Sequence, residues 1–391
     1  MRRVNLGIIG LGLRGVSYYR LIQSKPLLKE IFDVKWVADI NKNKLKRFKE
    51  EFSFKGEILT DFREGMENVE AVIISTPDHT HVSLYNEITE YGKHFIAEKP
   101  LATNIEDAKK ILEKLKNYEK SVVVAYPLRY TPFYRKIKEI IESDTIGEII
   151  FIRASEVLSY EHGANYARRW HRKRVNSGGL LVTKCCHDFD ILHWLSKSLI
   201  ESLSGFGGRR FFGKREGFPQ YCHECDNLDC IYRYSICPIW YYLPYEEAYE
   251  PEKYGYDLCV FNSDMDIIDH AIVNLKHKNG IVSQFAIGPI APNEFRRIHI
   301  LGTKGELEGI FEKGIIIIRE NKSNCETQIE IKEEPQGHYG GDYRLLLNFA
   351  RCILYKEKPA ATIEEGYYSL IVAAKAEESI EHGGILLKTG L

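Results

Sequence analysis

Short apolar runs alternate with longer amphipathic stretches through the first third of the chain. Residues 4–9 (VNLGII) are almost unbroken apolar positions, the pattern of a strand buried on both faces, and the apolar spacing over 13–24 is helical. The alternation repeats, with strands predicted at 33–39, 69–75, 93–97 and 121–125 and helices at 43–52, 80–91 and 104–117. Strands separated by helices of this length predict a parallel sheet with right-handed crossovers. A doubly wound α/β domain is therefore expected over 1–127.

The pattern then changes. Residues 148–157 alternate as a strand, 184–196 read as a helix, and strands follow near 266–277, 281–288, 296–302 and 314–318 with Gly-rich turns between them. Two helices, near 341–355 and 363–382, come after. Strands in succession with helices grouped apart predict an α+β domain over 128–391 with an open, largely antiparallel sheet. Residues 205–262, rich in Tyr, Cys, Pro and Gly, are too long for a simple connection and read as an insertion with local structure.

Composition narrows the function. The 391 residues suit two domains, and a net charge of −1 supplies no basic field for nucleic acid. No apolar run reaches the roughly 20 residues that span a bilayer. Met1-Arg2-Arg3 leads straight into the first strand without a signal-peptide core, so a cytoplasmic protein is expected. In that reducing compartment the nine cysteines are expected as thiols or metal ligands rather than disulfides.

The chemistry begins at Gly10-Leu11-Gly12-Leu13-Arg14-Gly15, a GxGxxG run between a predicted strand and a predicted helix. Gly10 permits the tight turn, Gly12 lets backbone approach a pyrophosphate, and Gly15 allows close helix–strand packing. The free N–H groups at the helix start, from Leu13 onward, favour phosphate. Arg14 reads either as an added phosphate contact or as a solvated surface residue. Asp39 ends the second predicted strand, 24 residues after Gly15. A carboxylate there accepts from ribose hydroxyls and repels a 2′-phosphate, which favours NAD; Lys42 and Lys44 nearby keep NADP open. This is the Rossmann arrangement.

Two further loops follow strands of the same sheet, where ligand crevices form. Thr76 and Pro77, in Ser75-Thr76-Pro77-Asp78-His79-Thr80-His81, are expected beside the cofactor. His81 reads as a ligand contact or as a packing residue at a helix start. Glu98-Lys99-Pro100 follows the next strand. A lysine ammonium there can bind a substrate hydroxyl and stabilise a developing alkoxide, and the Lys99-Pro100 bond is a candidate for cis.

Taken together, Gly10–Gly15, Asp39, Thr76–His81 and Glu98–Pro100 resemble the N-terminal half of the Gfo/Idh/MocA oxidoreductases. The resemblance continues through Gly178-Gly179-Leu180-Leu181, Lys184-Cys185-Cys186-His187-Asp188-Phe189-Asp190, Trp194-Leu195, Gly302–Leu307 and Gly340-Gly341-Asp342. It implies a Rossmann domain with an open-sheet α/β domain. It also implies a catalytic-site role for Lys99, and a place near the substrate carbon for His187 as acid/base or ligand. Many members carry an Asp four residues before that His; here the position is Thr183, followed by Lys184. Lys184, His187 and Asp188 share helical spacing, so Lys184 either pairs with a neighbouring carboxylate or replaces the missing Asp as a catalytic substrate donor. An unperturbed imidazole titrates near working pH, which would suit His187 to proton exchange with a sugar hydroxyl. Arg168-Arg169-Trp170-His171-Arg172 reads as a sugar-pocket border or a solvated basic loop.

Cys222, Cys225, Cys230 and Cys237 fall within sixteen residues of the insertion, a spacing that can close a structural zinc site. Reduced, packed thiols are the other reading, and Cys185 and Cys186 are expected as buried small hydrophobes. The overall expectation is an NAD(P)-dependent dehydrogenase acting on CH–OH groups of a sugar, sugar derivative or cyclitol, with a carbohydrate or polyol partner and no nucleic acid or membrane. The resemblance implies a homodimer or homotetramer. The alternatives are an NAD-dependent glycosidase working by transient oxidation and a non-catalytic NAD(P)-sensing regulator.

Overall fold

The computed structural model describes residues 2–233, 257–323, 325–332 and 337–391. The chain divides into two compact units: residues 1–134 with 333–367, and residues 135–332 with 368–391.

The first unit is built on six parallel strands, β1 (Val4–Ile9), β2 (Phe32–Ala38), β3 (Glu57–Leu59), β4 (Ala71–Ile74), β5 (His94–Ala97) and β6 (Val122–Val124). They lie in the order β3-β2-β1-β4-β5-β6. The order reverses between β1 and β4, so the loops after these two strands are neighbours at the topological switch point. The continuous apolar runs are explained by burial on both faces: Val4, Leu6, Ile8 and all four residues of β4 are inaccessible. Trp36 is also fully buried, and its indole N–H donates to Gly65 O at 2.7 Å. The Leu13–Ser24 helix turns Tyr18, Leu21 and Ile22 onto this core.

A single cut at 127/128 misses one feature. The chain returns to the first unit after residue 332. The Gly341–Tyr355 helix buries Leu345, Leu346 and Phe349 in the same cluster as β1 and β2, with Phe349 stacked on Phe32 at 6.5 Å. Val124 N–H donates to Ala361 O at 3.1 Å, and Tyr130 Oη donates to Asn348 Oδ1 at 2.9 Å. Local helix periodicity locates this helix but says nothing of which core it joins.

The second unit carries a nine-stranded sheet: β7 (Ile149–Ser159), β8 (Ile200–Gly208), β9 (His270–His277), β10 (Val282–Ala291), β11 (Phe295–Gly302), β12 (Gly305–Ile310), β13 (Ile315–Glu320), β14 (Glu326–Glu330) and β15 (Leu387–Lys388). Their order is β14-β13-β12-β11-β7-β10-β9-β8-β15. β7 pairs with β10 in parallel, and its other neighbour, β11, is antiparallel, so the sheet is mixed and mostly antiparallel. Burial alternates along β9 and along β10 up to Pro289, the mark of a sheet packed on one face only. On the other face Phe206, Ile272 and Val282 are exposed. Among the described residues no helix is long and apolar enough to cross a membrane.

Candidate active site

In the first unit, β1 delivers Gly10 into the left-handed region at φ +92°, where a Cβ would stand 2.7 Å from Ser75 O. At Gly15 a Cβ would meet Gly10 O at 1.9 Å, so the helix is seated against the loop as only glycine allows. Gly12 is the reverse case: a Cβ there meets nothing within 4 Å, leaving space over the loop for a pyrophosphate. Leu13, the first helical residue, is exposed. Asp39 follows β2 directly. Its Oδ2 accepts from Leu11 N at 2.7 Å, its Oδ1 accepts from Asn41 N at 2.9 Å, and Lys44 Nζ stands 3.7 Å away. Asp39 therefore braces the glycine loop from below, and a carboxylate keeps further lone pairs for ribose hydroxyls. The residues fit a nicotinamide dinucleotide.

The loops after β4 and β5 are tied to each other. Ser75 Oγ donates to Gly10 O at 2.9 Å, and Thr76 Oγ1 lies 2.6 Å from Thr80 Oγ1. Pro77 precedes the Asp78–Thr80 turn in extended backbone. His81 is buried, with Nδ1 2.8 Å from Pro100 O and Nε2 3.0 Å from Thr76 O. Its ring bridges the two loops, and burial lowers its pKa. Tyr85 Oη donates to Glu98 O at 2.8 Å. The Lys99-Pro100 bond is cis.

Arg14 is only partly exposed, and its guanidinium is paired. Its guanidinium binds Glu98 Oε1 at 2.9 Å, Asp342 Oδ2 and Oδ1 at 2.9 and 3.0 Å, and Tyr18 Oη at 2.5 Å. Tyr18 Oη in turn donates to Glu98 Oε1 at 2.7 Å. Glu98 is thus clamped immediately before Lys99. Sequence spacing gives Asp342 no place in this clamp, because nothing local ties it to a loop 328 residues away.

In the second unit, the predicted 184–196 helix begins at Cys186, after a turn at Leu180–Thr183. Its N-terminal residues are buried throughout: Thr183, Lys184, His187 and Asp188 are each under a tenth exposed, and Cys185 and Cys186 are inaccessible. Of the two readings for Lys184, pairing with a carboxylate is the one observed. Its Nζ lies 2.9 Å from Glu156 Oε1 and 3.9 Å from Glu294 Oε1. Arg296 binds the same Glu156 carboxylate and reaches Asp188 Oδ1 at 3.4 Å, and His162 Nδ1 lies 2.8 Å from Glu294 Oε2. Glu156, on β7, is wholly inaccessible. Burial opposes its ionisation, but Arg296 and Lys184 outweigh it and hold its carboxyl below the usual range.

Asp188 goes the other way. Burial, reinforced by the Glu156 charge, pushes it up to about 8 against the pull of Arg296 and Lys184. A carboxyl raised above its unfolded value stays protonated in the fold while the unfolded chain ionises, so stability declines as pH rises from about 4 to about 8. Asp188→Asn should remove that decline. Chemical denaturation should show the variant gaining about 1–2 kcal/mol on wild type between pH 5 and pH 8, a discounted share of the roughly 1.4 kcal/mol that each tenfold change in proton affinity is worth. Parallel pH profiles for the two proteins would contradict the assignment.

The Arg168–Arg172 stretch is not a solvated basic loop throughout. Arg168 is buried, donating to Leu258 O at 2.7 Å, to Tyr232 O and to Cys222 Sγ at 3.2 Å. Arg172 and Lys173 pair with Asp264, and Trp170 stacks on His171 at 3.7 Å. Cys222, Cys225 and Cys230 line a common cavity with Arg168 and with Cys259, a residue that the sequence spacing does not connect to them. A hydrogen bond from Cys222 lowers the Cys259 thiol to about 7 and raises that of Cys222. Cys237 lies outside the described residues. Among the described residues no group of three or more His, Cys, Asp or Glu side chains is arranged to hold a metal ion, so the expected zinc site finds no support.

Comparison with known proteins identifies both units. Residues 4–126 match the NAD-binding Rossmann domain of an oxidoreductase family, and residues 138–387 match the C-terminal α/β domain of the same family. YteT of Bacillus subtilis (strain 168), named only as an oxidoreductase, is 29% identical over 332 residues, 77% of each chain. Levoglucosan dehydrogenase of Pseudarthrobacter phenanthrenivorans is 27% identical over 202 residues, and the match spans 50% of this chain and 52% of that protein. The crystal structure of scyllo-inositol dehydrogenase from Lactobacillus casei with NAD(H) and scyllo-inositol shares the fold, with a TM-score of 0.73 at 17% identity over all of both chains. Two matched domains in order across nearly the whole length leave one conclusion: the chain belongs to the Gfo/Idh/MocA family and is an NAD-binding oxidoreductase.

Proposed function

We propose that this protein is a dehydrogenase that moves hydride between a nicotinamide cofactor, NAD in preference to NADP, and a carbinol carbon of a sugar, sugar derivative or cyclitol. The observation that carries this reading is the clamped Glu98-Lys99 loop beside an open glycine turn within one unit. Gly10, Gly12, Leu13 and Gly15 would receive the pyrophosphate, Asp39 the adenosine ribose, and Thr76, Pro77 and the Glu98–Lys99 backbone the remainder. Any phosphate contact from Arg14 would be added to its carboxylate bonds. When bound, the nicotinamide supplies or accepts the hydride. Lys99 binds the substrate hydroxyl and stabilises negative charge on its oxygen. His187 is assigned a proton-carrying role toward the substrate. Lys184 holds Glu156 rather than substrate. The relatives named for levoglucosan and scyllo-inositol support hydroxyl-rich substrates. The exposed apolar residues Phe206, Ile272 and Val282 support a homodimer or homotetramer formed through the open sheet face.

The test is nicotinamide reduction, followed by its absorbance across a panel of aldoses, inositols and anhydrosugars. Net NADH formation with at least one of them is expected. Glycoside cleavage without net NADH would instead indicate the transient-oxidation glycosidase, and cofactor binding with no turnover of any kind would indicate a sensor. The cofactor preference has its own check. Asp39→Ser removes the acceptor that repels a 2′-phosphate and is expected to shift the ratio of kcat/KM for NAD over NADP at least about tenfold toward NADP, the worth of roughly one charged contact. An unchanged ratio would remove Asp39 from the ribose site.

A further inference from the structure

Cys222 and Cys259 are 37 residues apart in the chain, and a short antiparallel contact within the second unit brings them together. Tyr221 bridges Leu258, Cys222 N–H donates to Asp257 O at 2.7 Å, and Cys259 N–H donates to Gln220 O at 2.9 Å. Cys222 thus lies opposite Asp257, and Cys259 is two positions from Asp257 along the same segment. Residues opposite each other and residues two apart share a face, so both thiols project to one side of the contact, on its diagonal. There they meet, Cys222 S–H donating to the Cys259 sulfur.

Arg168 fixes the pair. Its Nε donates to Leu258 O at 2.7 Å and its Nη2 to Cys222 Sγ at 3.2 Å, so one buried guanidinium spans both segments. A cation beside sulfur favours thiolate. The hydrogen bond from Cys222 puts the negative charge on Cys259, whose thiol is lowered while that of Cys222 is raised. Cys352 shows the contrast: burial without a cation pushes its thiol up to about 12, the state of an inert core cysteine. Cys222 and Cys259 are each under a tenth exposed, yet both line one cavity, walled by Phe218, Val260 and Phe261. A reagent that reaches them there must be small. Nothing in the hydride chemistry proposed above uses either sulfur.

We propose that Cys222 and Cys259 form a redox modification site, a dithiol that a hydroperoxide converts to a disulfide. The Cys259 thiolate attacks the distal peroxide oxygen. An S–O bond forms, the O–O bond breaks, and the leaving alkoxide or hydroxide takes a proton from solvent. The Cys222 sulfur then attacks the Cys259 sulfenic acid. The S–S bond forms, the S–O bond breaks, and hydroxide leaves with the Cys222 proton as water. Two thiols are oxidised and one peroxide is reduced. The product ties together the two ends of the stretch 223–258, and thiol–disulfide exchange with a dithiol reductant reverses it.

The test treats the reduced, full-length protein with hydrogen peroxide, alkylates the remaining thiols and maps the peptides by mass spectrometry. Free thiols are expected to fall by two of the nine, with a Cys222–Cys259 linked peptide as the main product, and dithiothreitol should restore both. In Cys222→Ser, dimedone should trap a sulfenic acid on Cys259. In Cys259→Ser, oxidation of Cys222 should be at least about tenfold slower than that of Cys259 in the partner variant, because each unit of thiol pKa changes the thiolate fraction up to tenfold. The wild-type map decides the linkage whether or not either variant folds. Cys222 and Cys259 recovered as free thiols after peroxide, or linked instead to Cys225, Cys230 or Cys237, would overturn the site. Thiols protected by a metal that purifies with the protein would overturn it as well. Each of these results leaves the proposed dehydrogenase untouched, since no readout depends on turnover.

Discussion

Replacing Lys99 with methionine is expected to lower kcat by about a thousandfold, within the range for loss of a general acid/base or alkoxide-stabilising group. The substitution keeps the aliphatic stem and removes only the ammonium. The loop around it is fixed independently of the side chain: Glu98 is held by Arg14 and Tyr18, its carbonyl by Tyr85, and the Pro100 carbonyl lies against His81. The variant should therefore fold and bind NADH as wild type does. Loss of kcat with an unchanged NADH dissociation constant is the result that supports a chemical role. Turnover within about threefold of wild type would remove Lys99 from the reaction.

The second large effect concerns stability. Glu156→Gln is expected to cost about 3–5 kcal/mol at neutral pH, because it leaves Lys184 and Arg296 buried against a neutral amide. The depressed pKa of Glu156 sets the pH window. Its contribution is complete above the unfolded carboxyl value near 4.5 and is lost as pH falls through the lower folded value, so the two proteins converge in acid. A triple replacement of Glu156, Lys184 and Arg296 by apolar residues of similar volume should recover most of the loss. Denaturant unfolding at neutral pH and in acid checks both statements, and a neutral-pH difference below about 1 kcal/mol would show that the pairs are solvated.

This network also shows where sequence reading reaches and where it stops. Five strands of the six-stranded sheet are legible because strands buried on both faces leave continuous apolar runs, as in β1 and β4, whereas β3 is three residues long with one buried position and leaves no run. The glycine turn, Asp39 and the Glu98-Lys99-Pro100 loop are legible because each follows such a strand within a few residues. In the second unit β8, β12 and β14 leave no such signal. β8 ends in a Gly-rich stretch, β12 (GELEGI) resembles a turn motif, and β14 (ETQIE) is a largely polar edge strand whose exposed residues give no apolar period. The Tyr160–Arg168 helix is hidden because its buried face is mostly small or polar, Gly163, Ala164, Ala167 and Arg168, with Tyr166 its one large apolar residue. The partners of Lys184, Glu156 on β7 and Glu294 just before β11, lie 28 and 110 residues away in opposite directions, and no local spacing encodes them. The pairing of Arg14 is hidden for the same reason: its partner Asp342 arrives only with the returning segment.

That return has a consequence for synthesis. The first unit's core includes Leu345, Leu346 and Phe349, yet the ribosome finishes β6 more than two hundred residues before it finishes the Gly341–Tyr355 helix. At ordinary elongation rates this is an interval on the order of 10–50 s. Throughout it the nascent N-terminal half presents the apolar surface of β1 and β2 that Phe349 will later cover. The nucleotide-binding half is thus the first to be made and among the last to be completed, and the folding cell must shield it meanwhile.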